Sequence, residues 1–282
     1  MHPQTLQFNM PDGVVIIADA YGDISNPPVL LAHGGGQTRH SWSKTAHTLA
    51  KKGWYAVAYD HRGHGDSGWS PDRIYSLDKF AQDQKTIAQQ LTKPPVLVGA
   101  SLGGLAALLA QGESVENVLS AVILVDITPR MNQAGAMNII GFMSERMSEG
   151  FASFDEAADI IATYTGRPKR DDNSGLAKNL RLRDGRYYWH WDPEFLTLAH
   201  DQITVPTRLV DATRNIKKPI LLVRGRESDL VTEEIAQEFL QLVPHAEYVD
   251  VENARHMVAG DRNDIFTQAV IAFIERLGSR RA

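Results

Sequence analysis

The sequence predicts an α/β fold with a mostly parallel, eight-stranded sheet and helices on both faces. Short β-rich runs alternate with longer helical runs, a pattern typical of parallel sheets. Residues 118–125 are strongly apolar, as in a strand that is buried on both faces. The alternation stops near Pro129 and resumes after Arg214, which indicates one core divided by an insertion.

The first two strands are expected at residues 5–9 and 14–20. Asp12-Gly13 between them is a strong hairpin signal, so these strands should be antiparallel. The other six strands are expected at residues 28–33, 54–59, 95–100, 118–125, 219–224 and 246–251. Core helices are expected at residues 41–52, 76–91, 102–111, 232–242 and 264–277. Residues 1–128 and 215–282 are therefore assigned to the core.

Composition excludes several classes of protein. The 282 residues are 43% hydrophobic and 22% charged, which is too apolar for a disordered chain. There is no cysteine, so disulfides, thiolate catalysis and cysteine–metal sites are excluded. A net charge of −5 without a basic stripe argues against nucleic-acid binding. With neither a signal peptide nor an apolar span, we expect a cytoplasmic protein that does not bind membranes.

Residues 129–214 are expected to form a helical cap, with helical patches at residues 137–147 and 154–164. Methionines and branched aliphatic residues cluster there, and they could line an apolar substrate pocket or form the cap's own small core. The methionines are Met131, Met137, Met143 and Met147.

A candidate nucleophile follows the predicted strand 95–100. Gly99 to Gly103 reads G-A-S-L-G, the G-x-S-x-G pattern, and an Ala/Leu-rich helix follows it. A turn from strand to helix at one residue would hold Ser101 in a strained conformation with its hydroxyl free. The alternative is a phosphate-binding turn, which requires the pattern G-x-G-x-x-G or a lysine and a hydroxyl after the second glycine, and neither is present here. We therefore predict that Ser101 is a catalytic nucleophile.

The loop His33-Gly34-Gly35-Gly36 follows the third strand. Acyl transfer requires two backbone N–H groups directed at the developing oxyanion. The residue after the nucleophile, Leu102, should supply one donor and the glycine loop the other, with Gly35 preferred and Gly36 as an alternative. A plain tight turn would also suit three glycines, but the position after this strand favours the oxyanion role.

These two motifs, together with D-H-R-G-H-G-D-S at residues 60–67, resemble the α/β-hydrolase superfamily. Within it the chain is similar to the capped branch of epoxide hydrolases, carbon–carbon bond hydrolases, haloperoxidase-like esterases and small lipases. The resemblance implies that residues 60–67 form a structural loop, with Arg62 and Asp66 in structural roles. His33, His61 and His64 lie in two separate loops, and we predict no metal and no cofactor.

The superfamily's triad runs in the order serine, acid, histidine. His256 follows the last strand and matches the position of the base. Asp229, after the strand at residues 219–224, is the preferred acid because catalytic groups gather at the carboxyl ends of parallel strands. Asp126 at the end of the sixth strand is ranked second and is expected to cap a loop; Glu227 is a further rival.

A serine nucleophile favours acyl transfer over epoxide opening or dehalogenation, because an ether intermediate could not be hydrolysed at an acyl carbon. We expect a hydrolase that cleaves a small to medium, largely apolar carboxylic ester, and this small molecule is the only partner expected. Carbon–carbon bond hydrolysis and haloperoxidase or perhydrolase activity stay open on the same triad. A non-catalytic small-molecule receptor is the alternative from another class.

Overall fold

The computed structural model describes residues 2–166, 174–196, 206–257 and 263–279. An eight-stranded sheet has the order β1-β2-β4-β3-β5-β6-β9-β10. Strand β2 is antiparallel to both of its neighbours, β1 and β4. The other neighbouring pairs, among β4, β3, β5, β6, β9 and β10, are all parallel. The predicted fold class is confirmed.

The strands of this sheet are β1 (Gln4–Asn9), β2 (Val15–Tyr21), β3 (Pro28–Ala32), β4 (Tyr55–Tyr59), β5 (Val96–Ala100), β6 (Ala121–Val125), β9 (Ile220–Gly225) and β10 (Glu247–Val251). The helices are α1 (Ser43–Lys51), α2 (Leu77–Gln89), α3 (Leu102–Gly112), α4 (Gln133–Ser144), α5 (Phe154–Thr165), α6 (Pro206–Asn215), α7 (Glu233–Leu242) and α8 (Thr267–Ser279). Strands β7 and β8 form a separate sheet, described below.

Helices cover both faces of the sheet. The central strands β3, β5 and β6 are buried at every residue, which explains their continuous apolar sequences. On one face α2, α3, α6 and α7 pack through residues such as Phe80, Leu108 and Phe239. On the other face α1 and α8 pack through residues such as Leu49 and Phe273.

The expected hairpin at the N-terminus is present. Strands β1 and β2 pair in antiparallel register, with Asn9 opposite Val15, and Gly13 in the turn has φ 86°.

The chain between β6 and β9 contributes no described strand to the large sheet. It contains α4 and α5, as expected, but also an antiparallel hairpin that the prediction of a purely helical segment did not include. The hairpin comprises β7 (Leu180–Arg183) and β8 (Arg186–Trp189). Residues 167–173 and 197–205 of the predicted cap lie outside the described residues. Helix α6, the last element before β9, packs along α3, where the Ala212 carbonyl lies against Gly112.

Candidate active site

Ser101 lies at the turn between β5 and α3, where it is the N-cap residue of the helix. Its backbone has φ 45° and ψ −116°, a left-handed conformation that a non-glycine residue adopts only at a cost of about 1–3 kcal/mol. The side chain is partly exposed. The turn therefore presents the hydroxyl at the carboxyl edge of the sheet, beside a helix N-terminus that favours negative charge.

Two glycines allow this turn to form. A Cβ on Gly99 would lie 2.5 Å from the backbone of Gly103 and Gly104, and one on Gly103 would lie 2.7 Å from Ala32 of β3. Such distances are far below normal carbon–carbon contact. The glycines of the G-x-S-x-G motif are thus required because α3 packs directly onto β5 and β3.

Amides of the two predicted donor residues face the same region. Leu102 is the first residue of α3, so its N–H has no partner within the helix. In the described part of the chain, neither this N–H nor that of Gly35 has a hydrogen-bond acceptor. The alternative donor is occupied, because the Gly36 N–H donates to His64 Nε2 at 3.1 Å. Gly35 and Leu102 are therefore the available pair.

Hydrogen bonds of a buried histidine hold the glycine loop in place. His33 Nδ1 donates to the Gly34 carbonyl at 2.7 Å, and its Nε2 accepts the backbone N–H of His61 at 3.0 Å. The Gly34 carbonyl belongs to the peptide that carries the Gly35 N–H, so this bond orients the donor. Burial lowers the pKa of His33 well below its usual range, which keeps the ring neutral.

A histidine–carboxylate pair lies beside the serine. His256 Nδ1 is 2.9 Å from Asp126 Oδ2, and both side chains are almost completely buried. Asp126 follows β6 in a left-handed conformation, with φ 52°. Its other contacts are the Gly225 N–H at 3.0 Å and the Ser228 hydroxyl at 2.7 Å. Because Asp126 binds Nδ1, Nε2 is the imidazole nitrogen that can accept a proton from Ser101.

The preference for Asp229 as the partner of His256 is corrected by this geometry. Asp229 is exposed and lies on the rim of an outer groove, whereas Asp126 holds the histidine. Ser228 explains the difference: its hydroxyl binds both Asp126 and the N–H groups of Leu230 and Val231, which folds the loop after β9 around Asp126. Glu227 is also exposed and pairs with Arg255.

Ser101 and His256 line the same small cavity, which has a volume of about 70 Å³. Gly35 and Leu102 line it too, so the four residues predicted as nucleophile, base and oxyanion donors converge there. The remaining lining is apolar and comes from both the core and the segment between β6 and β9. It comprises Leu105, Ile127, Met131, Ala136, Ile139, Ile140, Met143, Phe195, Leu230 and Met257.

A second, larger groove of about 1080 Å³ lies between α4, α5 and the core loops. His256 lines both this groove and the small cavity, and so marks where they meet. Carboxylates outnumber guanidinium groups in the lining of the groove. The charged residues are Glu145, Arg146, Glu156, Asp159, Glu227, Asp229 and Arg255.

Within the ranges that the structure describes, no group of three or more histidine, aspartate or glutamate side chains could hold a metal ion. The three histidines of the two loops are instead engaged with backbone groups, as in the His33–Gly34 and His64–Gly36 bonds. Among the same residues, no helix has the length and apolar character needed to cross a bilayer.

Comparison with known proteins decides the family. A model of the alpha/beta hydrolase family matches residues 29–269, which cover both parts of the core and the segment between them. The chain belongs to the α/β-hydrolase family. The strand order, the turn at Ser101 and the late histidine agree with this assignment.

Two curated proteins are similar to this chain over most of their length. Esterase Rv0045c of Mycobacterium tuberculosis is 31% identical over 255 residues, covering 84% of this chain and 79% of the esterase. The non-heme chloroperoxidase CPO-A1 of Kitasatospora aureofaciens is 26% identical, covering 94% of this chain and 98% of that protein. The crystal structure of E-2-(acetamidomethylene)succinate hydrolase superposes with a TM-score of 0.84 at 22% identity, covering 97% of this chain and 100% of that one.

Two side chains at this α/β-hydrolase site were not individually assigned a role from the sequence. Phe195 lies over the glycine loop, with its ring 3.0 Å from where a Gly35 Cβ would be. His190, just after β8, lies 3.2 Å from the Gly36 carbonyl. Both come from a segment without a recognisable motif, so only the tertiary structure places them at the site.

Proposed function

We propose that this chain is a serine hydrolase that cleaves a carboxylic ester through an acyl-enzyme. Ser101 is the nucleophile, His256 the general base and Asp126 the residue that orients the imidazole. The observation that carries the proposal is the pairing of His256 with buried Asp126 at a cavity shared with Ser101. The esterase similar to this chain supports the same reaction class.

The mechanism follows from these positions. His256 Nε2 takes the hydroxyl proton as Ser101 Oγ attacks the ester carbonyl. The N–H groups of Gly35 and Leu102 stabilise the oxyanion of the tetrahedral intermediate. The protonated His256, stabilised by Asp126, then gives its proton to the departing alcohol. Water, deprotonated by the same histidine, attacks the acyl carbon and releases the acid, with Ser101 recovering its proton.

The cavity at Ser101 favours a short, apolar acyl group. Its volume of about 70 Å³ is small, and Ile127, Ile139 and Met143 supply apolar walls. The alcohol portion would then extend into the outer groove, where the excess of carboxylates disfavours an anionic group. Residues 129–214, which supply part of both linings, would act as the cap.

Perhydrolysis is a second candidate, favoured by the similarity to the non-heme chloroperoxidase over nearly the whole of both chains. Hydrogen peroxide would replace water as the nucleophile that attacks the acyl-enzyme, which yields a peracid instead of an acid. Carbon–carbon bond hydrolysis is an alternative that none of the described contacts at this site favours.

Hydrolysis of p-nitrophenyl acetate, butyrate and octanoate tests the proposal. The wild-type protein should prefer the two short esters, and Ser101→Ala should lower kcat/KM by about 10³-fold or more. Ser114→Ala, at the opposite end of α3, is the matched control and should retain activity. Equal rates for wild-type and Ser101→Ala proteins would refute the proposal, and peracid formation on adding hydrogen peroxide would support the second candidate.

A further inference from the structure

Two buried histidines hold Gly36, the residue that follows the proposed oxyanion donor Gly35. His64 Nε2 accepts the Gly36 N–H at 3.1 Å, and His190 Nε2 lies 3.2 Å from the Gly36 carbonyl. The two rings are tilted neighbours whose centroids are 5.7 Å apart. Both polar groups of one glycine are thus bound by histidines from different parts of the chain.

We propose that His64 and His190 are positioning residues of the oxyanion hole: they fix Gly36 from both sides and thereby aim the Gly35 N–H at the substrate. This inference rests on the proposed hydrolase function. We call the two rings and the glycine between them the Gly36 clamp.

The clamp requires a different tautomer at each histidine. The Gly36 N–H can only donate, so His64 Nε2 must be unprotonated, and Nδ1–H then donates to the Arg62 carbonyl at 3.1 Å. At His190 the Gly65 N–H donates to Nδ1 at 2.7 Å, so Nε2–H donates to the Gly36 carbonyl. Each neutral ring therefore satisfies one backbone donor and one backbone acceptor.

Protonation of His64 would convert Nε2 into a donor and break its bond to the Gly36 N–H, and protonation of His190 would break the bond from the Gly65 N–H that holds its ring. Burial lowers the pKa of His64 to about 4, and burial together with neighbouring His64 lowers the pKa of His190 well below its usual range. The charged and titratable groups around the two rings are Asp192, His33 and His61 at His64, and His64, Arg181, His40 and His33 at His190. Both rings thus stay neutral at pH 7, as the bonds require.

The clamp also joins the segment between β6 and β9 to the catalytic core. His190 follows β8 in that segment, whereas Gly36 and Gly65 belong to the loops after β3 and β4. Phe195, a few residues further on, packs edge-on against His64 with centroids 4.5 Å apart. Docking of this segment and alignment of the Gly35 N–H therefore depend on the same contacts.

The two nitrogens of each ring can be tested separately. The side-chain amide of glutamine reaches the position of a histidine Nε2, whereas that of asparagine reaches the position of Nδ1. His64→Gln and His190→Gln should keep the bond to Gly36 and lose the other bond. His64→Asn and His190→Asn should lose the bond to Gly36 and keep the other bond. Each asparagine variant thus loses as many hydrogen bonds as the matching glutamine variant, at the same buried position.

We expect the asparagine variants to lower kcat about 10- to 100-fold with little change in KM, because losing an oxyanion donor costs about 10²–10³ in kcat and here the donor is displaced rather than removed. Affinity for a trifluoromethyl ketone inhibitor, which forms a tetrahedral adduct, should fall by the same factor. The glutamine variants should stay within about threefold of wild type, and His245→Gln, on an exposed histidine, serves as the control.

Equal losses of kcat in the glutamine and asparagine variants would overturn the clamp and assign these histidines to folding alone. Should the asparagine variants fail to fold, ¹⁵N NMR of the wild-type histidines decides: the Nδ1–H tautomer at His64 and the Nε2–H tautomer at His190 support the clamp, and any other combination overturns it. Activity that persists in Ser101→Ala would instead refute the proposed function, so the two failures are distinguishable.

Discussion

At the scale of single residues, the site depends on side chains and amides whose backbones are held in unusual positions. Ser101 and Asp126 both have positive φ, and each follows directly after a central strand of the sheet. Such strain is tolerated where the surrounding structure fixes the residue, and it is common at functional sites. Ser101 and Asp126 thus occupy equivalent positions, each in a strained turn after one of the neighbouring strands β5 and β6.

The identity of the acid gives the sharpest prediction at this scale. Asp126→Asn should lower kcat by about 10³–10⁴-fold, because an amide can stabilise neither the required tautomer nor the charged imidazole. Asp229→Asn is the matched control and should leave kcat within about twofold, since Asp229 is exposed and forms no hydrogen bond or ion pair with His256 within the described residues. Ester hydrolysis by the two variants measures both effects, and the reverse ranking would restore Asp229 as the acid.

The sequence predicted Ser101, His256, Gly35 and Leu102 at one site but preferred Asp229 as the carboxylate beside His256, whereas the structure pairs this histidine with Asp126. Strands β6 and β9 are neighbours, so Asp126 and Asp229 both follow strands that end at the same edge of the sheet. Sequence spacing cannot tell which of them turns toward the histidine. The hydroxyl of Ser228 and the N–H of Gly225, which hold Asp126 in place, are tertiary contacts without a sequence motif.

At the scale of elements, the strand–turn–helix unit β5–α3 is the rigid base of the site. Gly99→Ala should destabilise the protein by about 1–3 kcal/mol, because the new Cβ would overlap the backbone of α3. The midpoint of urea unfolding measures the change.

Gly141→Ala in α4 is the contrasting substitution, because nothing lies within 4 Å of the added Cβ. It should leave stability unchanged or raise it by about 0.5–1 kcal/mol, since alanine is the better helix former. Equal unfolding midpoints for the two variants would contradict the close contact of α3 with β5.

Helix α4 should determine acyl specificity, because Ile139 lines the cavity at Ser101. Ile139→Ala would enlarge this cavity, and the ratio of kcat/KM for a hexanoate ester over an acetate ester should rise about tenfold, as expected for added methylenes in an apolar pocket. Ile161→Ala in α5 is a matched control, because Ile161 lines neither the cavity nor the groove. An unchanged ratio in Ile139→Ala would place the acyl group elsewhere.

The hairpin β7–β8 shows why one element was missed and how it could have been found. Its strands are only four residues long, charged side chains alternate with leucines in β7, and β8 is only partly buried, so no buried β-rich run stands out. Yet Asp184 and Gly185 in its turn both have positive φ, as a type I′ turn requires. Asp-Gly between short alternating runs was the signal, and the same dipeptide had correctly indicated the first hairpin.

At the scale of the whole molecule, four buried histidines near the glycine loop make stability depend on pH. Burial lowers the pKa of His61 to about 3 and of His64 to about 4, and it lowers those of His33 and His190 well below the usual value. In the unfolded chain all four titrate near pH 6.5. The unfolded state therefore binds more protons between pH 6.5 and about 4, and stability should fall as pH decreases through this window.

Urea unfolding at pH 7.5 and 5.5 measures this effect. The free energy of unfolding should be lower at pH 5.5 than at pH 7.5, by on the order of 1 kcal/mol each for His61 and His64, because these rings become protonated in this range only in the unfolded chain. In His64→Gln one proton fewer should bind on unfolding, so the free energy of unfolding should change less with pH. His245→Gln, at an exposed position, should keep the wild-type pH dependence. A free energy of unfolding that is the same at both pH values would contradict the burial of neutral histidines.

In the proposed mechanism Ser101 forms a covalent bond with the substrate carbonyl, supported by Asp126 and His256, which follow separate strands of the core. Reaction with a fluorophosphonate, followed by peptide mass spectrometry, tests it most directly. We predict a single adduct on Ser101 that is absent in Ser101→Ala and forms far more slowly in Asp126→Asn. An unmodified Ser101, or an adduct on another residue that persists in Ser101→Ala, would contradict the account.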